Sequence, residues 1–190
     1  MYPVEIFQST LTKLADVLKR FDIRFHLTGG ITAVAYGEPR MTQDLHLVID
    51  CDTALRHRDA FLSALSEAGF HLDEQTAREA IGRKEMFQIL DIDQALKLDL
   101  YPELSIPGEL GRSVMAEVLP GVTLPIAGRS DAALSKLIWA GKGSHKSRRD
   151  LREILRRANT EESAIVRRMA TNMGLVELLD RILAESEEIA

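Results

Sequence analysis

Gly29 and Gly30 sit between an alternating run, Ile23, Phe25 and Leu27, and a short small-residue segment that begins at Ile31. Paired glycines let a backbone approach a ligand closely, and a helix starting directly after them offers unbonded N–H groups to an anion. The chemistry this suggests is a phosphate cradle, set against the plainer role of a tight turn. Farther along, Asp44 and His46 are two residues apart in a strand-like run, so both lie on one face about 7 Å from each other. Leu45 and Leu47 take the opposite face. Lys97, Asp99 and Tyr101 alternate in the same way with Leu96, Leu98 and Leu100. On neighbouring strands Asp99 stands beside Asp44, and two carboxylates converge above the glycines.

These residues need a frame, and apolar spacing supplies its outline. Val4, Phe7, Leu11, Leu14, Leu18 and Phe21 form the stripe of an amphipathic helix. Arg24, His26 and Thr28 alternate with Ile23, Phe25 and Leu27, which predicts a strand with one buried face. A short helix over 31–36, a strand over 44–50 and a helix over 54–68 stopped by Gly69 follow. Strands over 86–90 and 94–101 flank a predicted hairpin turn at Asp91, Ile92 and Asp93, and a second hairpin centres on Pro120 and Gly121. Ser130 reads as the cap of a helix reaching about Ala140. The flexible-looking Gly141–Ser144 segment precedes helices near 145–158, 161–172 and 175–186. The expected outcome is an α/β core over 1–128 carrying a mixed sheet, with a helical region over 129–190 packed on it.

A length of 190 residues is enough for a sizeable core, and a net charge of -5 argues against coating nucleic acid through bulk charge. Cys51 is the single cysteine, so neither a disulfide framework nor a cysteine zinc site is available, and a reducing cytoplasm is expected. Charges interrupt every apolar run before membrane-spanning length, and the N-terminus lacks a signal-peptide pattern, so no membrane association is expected.

Taken in order, Gly29-Gly30, Gly37-Glu38-Pro39-Arg40, Thr42-Gln43-Asp44-Leu45-His46 and Lys97-Leu98-Asp99 resemble the DNA-polymerase-β-like nucleotidyltransferase superfamily. Within it the likeness is greatest to the small bacterial toxin-type and minimal nucleotidyltransferases. The segments Ser130–Leu137, containing Lys136, and Arg149–Glu153, containing Asp150, continue it, so the resemblance spans most of residues 23–158. It implies an α/β nucleotidyltransferase-like fold, a small mixed sheet flanked by helices with a C-terminal helical bundle. It also implies that Asp44 and Asp99 are catalytic, and that Asp44, His46 and Asp99 hold Mg²⁺ or Mn²⁺. Gly29, Gly30, Arg40, Thr42 and Lys136 would meet a nucleoside triphosphate.

Such sites use two divalent ions about 3.5 to 4 Å apart to hold the triphosphate, activate a hydroxyl and stabilise departing pyrophosphate. This chain departs from the pattern at His46, where the family carries a second acid. Imidazole suits Mn²⁺ or Zn²⁺ better than the hard Mg²⁺, and one negative charge is lost. Three readings compete: nucleotide binding without transfer, transfer with one or a softer metal, and loss of the ligand. The acceptor hydroxyl of a transferase could belong to RNA, to a protein or to a small molecule. The alternative is a non-catalytic module with a protein partner, as in a toxin–antitoxin or regulatory pair.

Each residue also has a plainer role. Asp91 and Asp93 form another Asp-x-Asp, but within a predicted turn, where aspartate bonds its own backbone. His26 reads as a satisfied structural histidine. Arg40 and Thr42 either contact phosphate or buttress the following strand, and Lys136 either reaches phosphate or snorkels to solvent. Asp150 has Lys146 one turn earlier as a surface partner. Arg149, Arg152 and Arg156 form a basic row without interleaved aromatics, a pattern that disfavours RNA binding and suits a solvated face. Cys51 and Trp139 read as apolar filler and core.

Overall fold

The computed structural model describes residues 4–38, 45–102 and 105–185, with a mixed α/β architecture and C-terminal helices. It divides into two compact units, Met1–Ile31 with Met41–Ala127, and Thr32–Arg40 with Gly128–Ala190.

The first unit carries a seven-stranded mixed sheet. Its strands are β1 (Phe25–Thr28), β2 (Leu45–Ile49), β3 (Phe70–His71), β4 (Phe87–Asp91), β5 (Leu96–Tyr101), β6 (Val114–Leu119) and β7 (Val122–Ile126). Spatially they run β3-β4-β5-β2-β1-β7-β6. Strand β2 pairs antiparallel with β1 and parallel with β5. Leu45, Leu47, Leu96, Leu98 and Leu100 are wholly buried. Each contributes about 1.5 to 3 kcal/mol by burial, and a one-residue slip would turn all of them outward, so the apolar alternation holds the register.

Helices α1 (Val4–Arg20), α3 (Cys51–Arg56), α4 (Arg58–Glu67) and α5 (Glu74–Arg83) belong to this unit. The α1 stripe buries Leu11, Leu14 and Leu18, as its spacing requires. The single helix expected over 54–68 is two, because Asp50 caps an earlier start through the Asp52 and Thr53 amides and the chain breaks at His57. Helix α5, capped by Asp73, lacks the long apolar run that would mark it in the sequence.

Two other expectations change here. Asp91 is not a turn residue. It ends β4, fully buried, and accepts hydrogen bonds from Thr10 Oγ1 at 2.6 Å and Lys13 Nζ at 2.8 Å. Burial pushes its carboxyl up, but the Lys13 and Thr10 hydrogen bonds outweigh this and hold it below the ordinary aspartate range. Strand β1 is buried on both faces rather than one, because the segment carrying Glu109 and Ser113 covers the His26 face. Its His26 places Nδ1 2.8 Å from Ser113 Oγ and Nε2 3.4 Å from Glu109 Oε2. Ser113 Oγ spends its proton on the Leu110 carbonyl, so it accepts from His26 Nδ1–H.

Helix α2 (Gly30–Tyr36) begins in the first unit and runs into the second, which contains α6 (Arg129–Gly141), α7 (His145–Arg156), α8 (Thr160–Asn172) and α9 (Val176–Ala184). Gly128, not Ser130, occupies the α6 cap position, and the Ser130 hydroxyl donates to the Glu162 carbonyl. Ser144 caps α7, and Asn159 with Glu162 forms a capping box on α8. Trp139 is 42% exposed rather than in the core, with Lys142 Nζ 4.8 Å from its ring centroid. No helix among the described residues is long and apolar enough to cross a membrane.

Candidate active site

Four polar residues lie in one row across the sheet of the first unit. Thr28 on β1 is in register with His46 on β2, His46 with Asp99 on β5, and Asp99 with Gln88 on β4. Register partners project from the same face, so the apolar alternation that buries Leu45 and Leu98 presents His46 and Asp99 together on the other. His46 Nε2 lies 3.3 Å from Asp99 Oδ2, and Gln88 Nε2 donates to Asp99 Oδ1 at 3.0 Å. The ring of Tyr101 flanks His46, with centroids 5.8 Å apart.

The glycine turn adjoins this row. Gly29 follows β1 with φ +67°, a left-handed conformation that favours glycine. A β-carbon at that position would stand 2.7 Å from His46 Nδ1. The close approach that the glycine permits is therefore used, at least in part, by the chain's own imidazole. Gly30, the first residue of α2, is buried.

Among the expected site residues, the structure brings together Gly29, Gly30, His46 and Asp99. Arg40, Thr42 and Asp44 lie outside the described residues. Lys136 belongs to the second unit, where its Nζ meets Asp150 Oδ2 at 2.9 Å with both side chains buried. That pairing corrects the expectation of a surface Lys146–Asp150 pair: α6 packs against α7 and covers Asp150. Gln88 was not anticipated, although its place between Phe87 and Ile89 carries the period-two signal that puts it on the Asp99 face.

The donor chemistry tests whether a metal fits. His46 Nε2 and Asp99 Oδ2 at 3.3 Å are separated much as adjacent ligands of one ion with bonds of about 2.0 to 2.2 Å would be. The pair therefore fits one divalent ion, with Gln88 orienting the carboxylate from behind. Imidazole makes the set softer than a pair of acids and removes a charge that a second ion would need. Among the described residues, no group of three or more histidine, cysteine or acidic side chains could hold a metal.

No protein-family model matches the chain, and no curated protein matches it in sequence. Solved structures do match in fold. The solution structure of the antibiotic-resistance factor ANT(2'')-Ia superposes with a TM-score of 0.51 at 14% identity, over 94% of this chain and 90% of that one. The lincosamide antibiotic adenylyltransferase LnuA, with lincomycin bound, gives 0.50 at 11% identity over 76% and 93%. ANT(2'')-Ia in complex with adenylyl-2''-tobramycin gives 0.50 at 14% identity over 94% and 95%. The chain thus shares the fold of these solved structures.

Proposed function

We propose that this chain binds a nucleoside triphosphate with a divalent metal ion beside Gly29, His46 and Asp99, and transfers its nucleotidyl group to a hydroxyl of a small molecule. The observation that carries this reading is the row Thr28–His46–Asp99–Gln88 next to a left-handed Gly29, within a nucleotidyltransferase fold. The neighbours favour a small acceptor over RNA or a protein hydroxyl, since one holds lincomycin and another an adenylylated tobramycin.

In this reaction the acceptor oxygen forms a bond to the α-phosphorus, the bond from that phosphorus to the bridging oxygen breaks, and pyrophosphate departs with the electron pair. Asp99 accepts the hydrogen bond of the attacking hydroxyl and helps remove its proton, using lone pairs that Gln88 and His46 leave available. Gly29 and Gly30 allow the phosphates to approach main-chain N–H groups. Asp44 is assigned with His46 and Asp99 to the metal, and Arg40 and Thr42 to the phosphates. A bound Mg²⁺ or Mn²⁺ supplies charge neutralisation at the phosphates.

One observation favours a second reading, a non-catalytic nucleotidyltransferase-fold module acting in a regulatory pair such as a toxin–antitoxin system. His46 stands where a second carboxylate would hold metal, and its ring closes onto Gly29 and Asp99. Calorimetric titration of ATP and GTP, each with Mg²⁺ and with Mn²⁺, separates the two. Metal-dependent binding abolished in Asp44→Ala and Asp99→Ala supports the first; absence of binding under all four conditions leaves the second.

A further inference from the structure

The second unit carries a half-open cavity of about 500 Å³ between α7, α8 and α9, distant in sequence from every residue of the row on the sheet. Its volume falls in the range of small-molecule sites, about 300 to 1,000 Å³. Three helical faces build it by ordinary i, i+3 and i+4 spacing. Helix α7 contributes Arg152, Leu155 and Arg156, and α8 contributes Val166 and Arg167. Helix α9 adds Leu179 and Leu183, one turn apart. The basic row foreseen as a solvated face thus turns Arg152 and Arg156 toward an apolar floor.

The lining is chemically two-sided. Val166 and Leu179 are buried, Leu183 is exposed, and three guanidinium groups border them. One acid, Glu185, also borders the cavity and is held by Arg148 and by Arg152, the latter at 3.1 Å. The structure therefore already displays these arginines holding a carboxylate. Arg156 pairs with Glu153 at 3.3 Å and Arg167 with Asp180 at 2.5 Å, through side chains more than half exposed on the arginine side. Both side chains of the Arg167–Asp180 pair are about half exposed, so an incoming anion exchanges for Asp180 at little cost, whereas Glu153 is largely buried and stays with Arg156. Arginine presents a fork of donors that matches phosphate and carboxylate geometry. Among the described residues no aromatic side chain lines the cavity, so these residues offer no platform for a nucleobase.

We propose that this cavity binds an amphiphilic anion: an aliphatic body on the Leu155–Val166–Leu179–Leu183 floor, with a phosphate or carboxylate head on Arg156 and Arg167. The test is calorimetric titration of the full chain with dodecyl phosphate and with dodecanoate, both below micelle-forming concentration. Dodecyltrimethylammonium and inorganic phosphate serve as comparators. Both anionic amphiphiles bind, the tighter one identifying the preferred head, while the cationic amphiphile and inorganic phosphate bind at least tenfold more weakly. The variant Arg167→Gln loses at least tenfold in affinity with an unchanged unfolding midpoint, because Arg167 and its partner Asp180 are both about half exposed. Leu183→Asp does the same by charging the floor. Equal binding of the cationic amphiphile, no binding of either anion, or undiminished affinity in both variants overturns the proposal.

Discussion

The imidazole of His46 occupies the space that a side chain on Gly29 would need. A β-carbon there would meet His46 Nδ1 at 2.7 Å and Cγ at 3.1 Å, and the glycine's φ of +67° disfavours any other residue independently. A turn glycine and a residue of the neighbouring strand thus constrain each other. With Asp99 facing the ring's other nitrogen, the imidazole is held from both edges.

Gly29→Ala is expected to lower stability by about 2 kcal/mol, the sum of left-handed backbone strain and the clash with the ring. In a His46→Ala background the clash disappears and only the strain remains, so the loss falls to about 1 kcal/mol. Chemical denaturation of the four proteins in the cycle measures the difference; equal losses in both backgrounds would show that the ring does not constrain position 29.

His46→Asp places a second carboxylate beside Asp99 and completes the Asp-x-Asp pattern that the sequence resembles. Like charges at this separation destabilise the metal-free protein, and divalent metal relieves them. Excess Mg²⁺ is therefore expected to raise the variant's stability by about 2.7 kcal/mol at a hundredfold excess over Kd, and wild type by much less. Thermal unfolding with and without chelator reads this directly, and equal Mg²⁺ effects on the two proteins would remove His46 as the determinant.

Lys136 and Asp150 are a buried pair. Asp150→Ala leaves a buried ammonium without that partner and is expected to cost about 3 kcal/mol. The double variant Lys136→Met/Asp150→Leu, which removes both charges, recovers most of it. Urea midpoints of the single and double variants provide the comparison.

Asp91 couples stability to pH. Its carboxyl titrates below the unfolded value, near 3.9, because the Lys13 and Thr10 hydrogen bonds outweigh burial. The folded state therefore binds fewer protons in this region. The stabilisation is fully present above about pH 4 and is lost as pH falls through the lower folded pKa. Asp91→Asn is expected to be less stable than wild type by about 2 kcal/mol at neutral pH, with the gap narrowing as pH drops below about 4. A constant gap across that range would assign the effect to packing.

Local periodicity made much of this protein legible. The alternation of Lys97, Asp99 and Tyr101 with three leucines is a property of a few consecutive residues, and β5 presents those faces as expected. The same holds for the α1 stripe, the glycine turn after β1 and the β6–β7 hairpin around Pro120 and Gly121. Charge at Asp91 and polarity at His26 were equally visible, but their burial was not. It depends on α1 covering the end of β4 and on the segment carrying Glu109 and Ser113 covering the His26 face of β1.

What tertiary structure decided is which distant residues meet. Nothing near position 99 specifies that its register partners are His46 and Gln88, and nothing near position 150 specifies Lys136 over Lys146. A strand or helix pattern assigns a side chain to a face at short range. The partner across that face follows from how all apolar faces are buried at once, so the Gly29–His46–Asp99 contacts emerge only when β1, β2 and β5 align.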